Sequence, residues 1–492
     1  MSKSGAQFNK RLILFTVSTI LMIEAVAIIP SAAMGLYDGD MDSFKGMVIS
    51  AVVLMALGLL GRQLSGSHQV KMKVKESYLI VLLCWLTSIF GGMLPYLTIG
   101  RNYRVTDAFF ESAATWTTTN AWVIDINSMP RALVLWNATC SWMGGMGIIV
   151  LTLIIFSALG VSGQRLAGAE IAGPELEKHT ARMADTARLL YRLYGVGSLI
   201  ELGLLMLAGL PKFDAVINTM STISTAGTMD YHNGLANHFT PGVKIVIVIF
   251  SILASLNFAI YIKVVKKKYR EAAMDFEMHT FLGLILGSTL FIAVVLMVQG
   301  YYDNVFDALV NAVTGVVSFS CTTGFTLEHV ELWPSVCKMV FIVLMIIGGC
   351  ATSTAGGIKV IRFAVFVKLI RRGVYKRIHP RAVRPVMIRE TPVSTENASS
   401  ISTFILLFLG VYLMSTLIFS LENVDMETTL TTPIALFTNC GEGFGMISGA
   451  NYAVFSLPLR VYSALLMILG RLEMYALLIL FSRSFWSPNR TK

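Results

Sequence analysis

DAFFESAATWTTTNAWV (residues 107–123), DAVINTMSTISTAGTMD (214–230), DALVNAVTGVVSFSCTTGFT (307–326) and TTPIALFTNCGEGFGM (431–446) decide the fold. Each reads as a half-length helical stretch running into small residues. In the first two, 13 residues separate the opening Asp from Asn120 and from Gly227. In the third, 17 separate Asp307 from Gly324, which is one additional helical turn, and the fourth lacks the Asp. The centres Asn120, Gly227, Gly324 and Gly443 are spaced by 107, 97 and 119 residues, a recurring period that marks an internal repeat.

The flanks of these stretches repeat too. An apolar run precedes each, another follows, and a basic loop closes the unit. Among the runs are Leu12–Ile29, Met47–Leu60, Tyr78–Tyr96, Leu133–Leu159, Val243–Ile262, Phe281–Val298, Phe404–Phe419 and Val461–Phe481. Most approach the roughly 20 residues that a helix needs to cross a hydrocarbon core. The chain of 492 residues is 55% hydrophobic and 14% charged, with a mean hydropathy of +0.69, which excludes an ordinary soluble domain. The expected fold is therefore an all-α integral membrane protein of about ten transmembrane helices. An N-terminal transmembrane hairpin (1–70) precedes pore repeats 71–165, 166–270, 271–390 and 391–492. The first apolar run is too long for a signal peptide and lacks a small-residue cleavage site, so it reads as a retained span.

A half-length helix cannot span. It dips in and returns, and non-helical backbone at that depth is tolerated only where it lines a wet cavity or is buried in protein. Four such segments imply a pseudo-fourfold ring around an axis. Surface loops with apolar patches are the competing reading, opposed by the repeated placement and the scarcity of Lys and Arg.

The net charge of +10 follows topology. With a cytoplasmic N-terminus, about 29 of the 39 Lys and Arg fall in alternate loops, as the positive-inside rule expects. Both termini are then cytoplasmic. The opposite side carries mainly acids, among them Asp38, Asp107, Asp214, Asp307, Glu422 and Asp425. Nucleic acid is not an expected partner; membrane lipids are. The six cysteines form no CxxC pair, the seven histidines show no ligand spacing, and no Ser/His, paired-Asp or HExxH constellation lies in the spans. An enzyme is not expected.

A narrow pore must replace the water that a cation loses, and inward-pointing backbone carbonyls can do so. Glycine supplies the dihedrals this requires. The half-helix C-termini also aim their negative poles at the axis. The expected oxygen donors are the carbonyls of Thr118 and Thr119, Thr225 and Ala226, Thr322 and Thr323, and Gly441 and Glu442. The four centres stand beside them. An acidic outer mouth would concentrate cations.

FFESAATWTTTNA, STISTAGT, SCTTGFT with LWP (Leu332–Pro334), GGCATSTAGGIKVIRF from Gly348, NCGEGFG from Asn439 and GRLEMYALLILF from Gly470 resemble the TrkH/TrkG branch of the Trk/Ktr/HKT superfamily of potassium translocators. The resemblance covers essentially the whole chain. It implies a bacterial inner-membrane protein with four M1–P–M2 repeats and a homodimer. K⁺ is the implied permeant ion, bound at the filter residues, with no cofactor in this chain. It also implies a cytoplasmic nucleotide-binding RCK-type subunit, and no GxGxxG follows a strand in this chain to sense a nucleotide itself. Two positions depart from the family pattern. Asn120 stands where the family usually has Gly, and Thr228 where it has an aromatic or aliphatic residue. In related plant transporters a non-Gly residue at the first place accompanies Na⁺ transport. The alternatives are therefore a Na⁺-preferring or non-selective cation translocator, or a secondary transporter of a larger solute. The resemblance is compatible with channel-like permeation or with ion-coupled symport.

The second long span of repeat three is interrupted by GGCATSTAGG, Gly348–Gly357. Small-residue helix packing is one reading. The other is an unwound loop below the filter that blocks the pore, with Gly348, Gly349, Thr352, Ser353, Thr354, Gly356 and Gly357 as gate residues. The resemblance supports this second reading and places Arg471 opposite the loop. There Arg471 repels cations, holds the loop closed, or pairs structurally with Glu473 or backbone carbonyls. Glu24 and Glu201, inside spans, read as interhelical or interfacial residues, and Glu111 as an acceptor for neighbouring backbone donors. The basic loop from Lys359 to Thr395 either follows the positive-inside rule or docks an acidic partner.

Overall fold

The computed structural model describes residues 8–66, 74–147, 183–227, 239–325, 330–381, 385–388, 391–472, 474 and 482–486. Thr228, Glu473, Arg384, Arg389 and the boundary between the first two repeats lie outside them. The leading hairpin is α1 (Lys10–Ala27), continued by α2 (Ile29–Tyr37), and α3 (Met41–Ser65). Next come α4 (Val74–Gly92) with α5 (Leu94–Thr98), the half-helix α6 (Val105–Trp116), and a returning helix α7 described over 131–147. The following unit holds α8 (Met183–Leu207), half-helix α9 (Lys212–Ile223), and α10 (Pro241–Ser255) with α11 (Phe258–Val265). The linker α12 (Tyr269–Ala273) leads to α13 (Phe276–Val298), half-helix α14 (Val305–Ser320), α15 (Ser335–Ile347) and α16 (Val360–Ile378). Last come α17 (Thr395–Phe419), half-helix α18 (Met426–Phe437) and α19 (Leu457–Arg471). Among the described residues a short ribbon of β1 (Met387–Ile388) and β2 (Thr391–Pro392) accompanies the helices.

Among the described residues six helical segments are long and apolar enough to cross a membrane, or seven if α10 and α11 count as one span. The returning helices account for the difference from ten. α7 is described over 17 residues, α15 and α16 are separated by Gly348–Lys359, and α19 covers 15 residues. The sequence reading took Val243–Ile262 as one continuous span, but the chain turns by 91° between α10 and α11. Leu256 is extended, and the Asn257 side chain accepts from Ala259 N at 2.9 Å, so Asn257 ends one helix's reach and starts the next.

Three half-helices have 12 residues and α14 has 16, the additional turn expected from Asp307. At 1.5 Å per residue, 12 residues reach only about 18 Å. The fourth begins at Met426, earlier than Thr431. It carries its acid as the N-cap Asp425, which accepts from Thr428 N at 2.7 Å.

The half-helices close a ring. Each packs on its own unit's first helix (α4, α8, α13 and α17) and against the returning helix of the unit before it. The latter pairs are α10 with α14, α15 with α18, and α19 with α6. Between α7 and α9, a Cβ on Gly145 would stand 2.7 Å from the Ser224 Cβ. One basic side chain spans each junction near the start of the returning helix. Arg131 lies over the Phe213 ring at 4.1 Å, and Lys244 donates to Asn311 Oδ1 at 3.4 Å. Lys338 pairs with Glu427 at 2.9 Å and Arg460 with Asp107 at 2.7 Å. The core under the third and fourth units is a stack of Phe319, Phe341 and Phe444, with centroids 4.7 Å apart for Phe319–Phe341 and 5.5 Å for Phe319–Phe444.

Candidate ion pathway

Each half-helix ends in the same way. A cap residue is followed by one in the left-handed region: Thr118 (φ 55°), Thr225 (φ 56°), Thr322 (φ 50°) and Asn439 (φ 57°). The next N–H then reaches back five residues: Thr119 N to Ala114 O at 2.8 Å, Ala226 N to Ser221 O at 2.8 Å, Thr323 N to Ser318 O at 3.0 Å, and Cys440 N to Ala435 O at 3.0 Å. These are Schellman terminations, a place where Gly is the usual occupant. A β-branched residue with positive φ is strained, and three of the four are Thr. The ring thus holds left-handed backbone at two levels, at Thr118, Thr225, Thr322 and Asn439 and, two residues further on, at Gly227, Gly324 and Gly441.

This register corrects the fourth wall. The equivalent tetrads are Thr117–Asn120, Ser224–Gly227, Cys321–Gly324 and Thr438–Gly441. Gly441 (φ 82°), not Gly443, therefore matches Gly227 (φ 94°) and Gly324 (φ 65°). A Cβ on Gly443 would meet Ile447 and Thr431, away from the other walls. Glu442 is spent on a turn, its Oε1 accepting from Gly449 N at 2.9 Å. Asn439 and Cys440 take the places that Gly441 and Glu442 were expected to fill. The signal was present in the sequence: aligning on the Ser/Thr/Cys–Thr/Asn pair that precedes each centre selects Gly441. Counting from the Gly-rich end does not.

Three glycines are needed where the walls meet. A Cβ on Gly227 would stand 2.7 Å from Thr323 O, one on Gly324 2.1 Å from Cys440 O, and one on Gly441 2.0 Å from Asn120 O. The fourth member, Asn120, bears on all three. Its Cγ would lie 2.5 Å from a Gly227 Cβ, its Cβ 3.1 Å from a Gly324 Cβ, and its backbone lies against Gly441. Its amide Nδ2 donates to Gly324 O, so the side chain crosses the ring to the opposite wall. Behind it, Glu111 Oε1 accepts from Val123 N at 2.7 Å and Ile124 N at 2.8 Å, holding the strand that returns from Asn120. Tyr452 does the same for the fourth wall, donating to Gly441 O at 2.7 Å. Glu111→Ala would strand two buried donors. The expected result is a destabilisation of about 2–4 kcal/mol, read as a lowered thermal midpoint in detergent, with Glu111→Gln intermediate.

Gly348–Lys359 is non-helical and largely buried, so the unwound reading of this segment holds and helix packing through it does not. Its neck is zipped by Ile358 N to Ile346 O (3.0 Å), Lys359 N to Ile347 O (2.8 Å) and Val360 N to Gly349 O (3.0 Å). Gly348 and Gly357 lie back to back, a Cβ on either coming within 2.9 Å of the other's backbone, which is why both must be Gly. The tip reaches the underside of the ring. Gly356 N donates to Thr322 Oγ1 at 2.6 Å, and Gly356 is packed against Thr438 O. Thr354 Oγ1 donates to Ala254 O at 3.1 Å, and Ser353 Oγ to Cys350 O at 2.5 Å.

Arg471 is buried at the end of α19. Its Nη1 donates to Thr354 O at 2.7 Å and its Nη2 to Gly144 O at 3.1 Å, joining the loop to α7. The negative poles of the surrounding half-helices make that buried cation tolerable. Glu24 and Glu201, both inside spans, are completely buried.

The profile of the TrkH family, described as cation transport protein, matches residues 44–490. The chain belongs to the TrkH family. The TrkH relatives include the Trk system potassium uptake protein TrkH of Salmonella typhimurium, 29% identical over 95% of this chain and 97% of that one. The Trk system potassium uptake protein TrkG of Escherichia coli is 27% identical over 95% and 96%. The crystal structure of the potassium transporter TrkH from Vibrio parahaemolyticus superimposes with a TM-score of 0.88 at 27% identity, over 97% of this chain and 99% of that one. This TrkH-family chain is thus a multi-pass membrane cation transport protein and not an enzyme.

Proposed function

We propose that the chain is a potassium uptake pore of a bacterial inner membrane, with both termini cytoplasmic. In this reading the four units 71–165, 166–270, 271–390 and 391–492 each give one wall of a carbonyl filter, at Thr118–Asn120, Thr225–Gly227, Thr322–Gly324 and Asn439–Gly441. The observation that carries it is the fourfold left-handed termination converging on one ring of backbone. The relatives' names supply K⁺ as the substrate. The loop Gly348–Gly357 is the gate and Arg471 its latch. A homodimer and a cytoplasmic RCK-type subunit complete the proposed assembly, with the basic residues Arg371, Arg372, Lys376 and Arg377 as its docking surface. Asn120, inside the ring, favours a weaker preference for K⁺ over Na⁺ than four glycines would give. Rb⁺ uptake into vesicles reconstituted with the full chain tests the reading: flux that K⁺ competes away is expected. Absence of both Rb⁺ and Na⁺ flux, in the native chain and in one lacking the loop tip, would overturn it.

A further inference from the structure

The gate loop has a second anchor that the ring and Arg471 do not explain. Glu277 is buried in the first turn of α13. Its Oε1 accepts from Ala351 N at 2.6 Å, on the entering limb of the loop, and from Ile361 N at 3.3 Å, just past the leaving limb. One oxygen therefore ties both limbs together. Its Oε2 accepts from Asn257 Nδ2 at 3.0 Å, while Asn257 Oδ1 accepts from Thr352 Oγ1 at 2.7 Å. Ala351 and Thr352 are thus held side by side by two residues from outside the loop.

The same node belongs to α11. Asn257 is its N-cap, and Cys350 N donates to Ser255 O at 3.0 Å just before it. At the far end of α11, Lys263 pairs with Asp275, the N-cap of α13, at 3.3 Å. Helix α16 begins at Val360 with no side-chain cap bond from its N-cap Lys359, and the Glu277 side chain meets its first turn from another helix.

We infer that Glu277, with Asn257, is the positioning pair that holds the gate loop in its blocking register, so that movement of α11 releases it. The inference rests on the pore reading above. If it holds, the loop opens when α11 pulls Asn257 away from Thr352. Glu277 then loses one of its three bonds and the two limbs separate.

The test is Rb⁺ uptake by the reconstituted full chain, with and without a deletion of 351–356. Glu277→Ala is expected to raise uptake on the order of tenfold. Glu277→Gln, which keeps an acceptor for Ala351 N, is expected to change it less than about threefold. In the deletion background Glu277→Ala should add nothing, an outcome that a merely structural role would not give. Asn257→Ala removes the Thr352 contact while leaving α16 met by Glu277, and should raise uptake about three- to tenfold. It keeps the idea testable should Glu277→Ala fail to fold. The inference falls if a folded Glu277→Ala or Asn257→Ala stays at the native rate, or if the gain persists undiminished on the deletion. Those results leave the pore reading intact provided the deletion itself raises uptake. Absence of uptake in every form sinks the pore reading instead.

Discussion

Asn120→Gly is expected to raise monovalent-cation flux about three- to tenfold and to increase the K⁺ to Na⁺ permeability ratio. The argument is local. Three of the four equivalent positions are Gly with positive φ, and each fits only because a neighbouring wall's backbone occupies the space of a Cβ. Asn120 alone projects a side chain into that space and donates its amide to Gly324 O. A carbonyl so engaged has one lone pair fewer for a cation, and the donor places partial positive charge where the ion would sit. A net hydrogen bond contributes about 0.5–1.5 kcal/mol. At 1.4 kcal/mol per decade, that range corresponds to roughly the stated gain in flux. Asn120 is not among the positive-φ residues, so Gly there introduces no backbone conflict. Bi-ionic potentials on the reconstituted native and substituted chains give the ratio directly. Equal flux and an equal ratio would mean that the Asn120 amide swings out of the ring before ions pass.

Arg471→Ala has the second large expected effect, a rise in flux on the order of tenfold or more. Two contributions have the same sign. In the proposed reading the guanidinium is a latch, since its bond to Thr354 O at 2.7 Å and its bond to Gly144 O at 3.1 Å tie the loop to the returning helix of the first unit. Charge-assisted bonds of this kind contribute about 1.5–3 kcal/mol. It is also a buried positive charge below the ring, a barrier to cations in a low-dielectric setting. The two separate cleanly by combination with the loop deletion. An additional gain from Arg471→Ala in the shortened chain belongs to the charge, and its absence belongs to the latch. Arg471→Lys keeps the charge but cannot span both carbonyls, so it should fall between. A flux that Arg471→Ala leaves unaltered, in protein of native thermal stability, would reduce this residue to a structural role.

The sequence was strongest where composition and repetition speak for the physics. Long apolar runs, alternate basic loops and four short polar segments at a recurring period require an all-helical membrane protein with a repeated half-helix, because continuous apolar runs of roughly 20 residues, unlike the short alternating strands of a barrel, satisfy their backbone in lipid as helices. The additional turn before Gly324, the role of Glu111 and the unwinding at Gly348–Gly357 were all legible, since each depends on local spacing or on a local excess of small residues. The break at Asn257 was not. The run Val243–Ile262 is apolar throughout, and only the N-cap geometry of Asn257 reveals the turn.

What tertiary structure alone decided is who meets whom. Counting from the Gly-rich end of the fourth segment gives Gly443 and aligning on Thr438–Asn439 gives Gly441, and the choice between them depends on where α18 ends. The termination at Phe437 and the left-handed Asn439 settle it. Nor could the sequence reveal that Asn120 reaches Gly324 across the ring, that Thr322 holds Gly356, or that Glu277 joins both limbs of the loop. These partners lie 204, 34, 74 and 84 residues apart. The chain by itself determined four half-helices, their polar tips and the solvent they require. The ring's register and its clamps come from packing, because hydrogen bonds between distant segments depend on positions that no local pattern encodes.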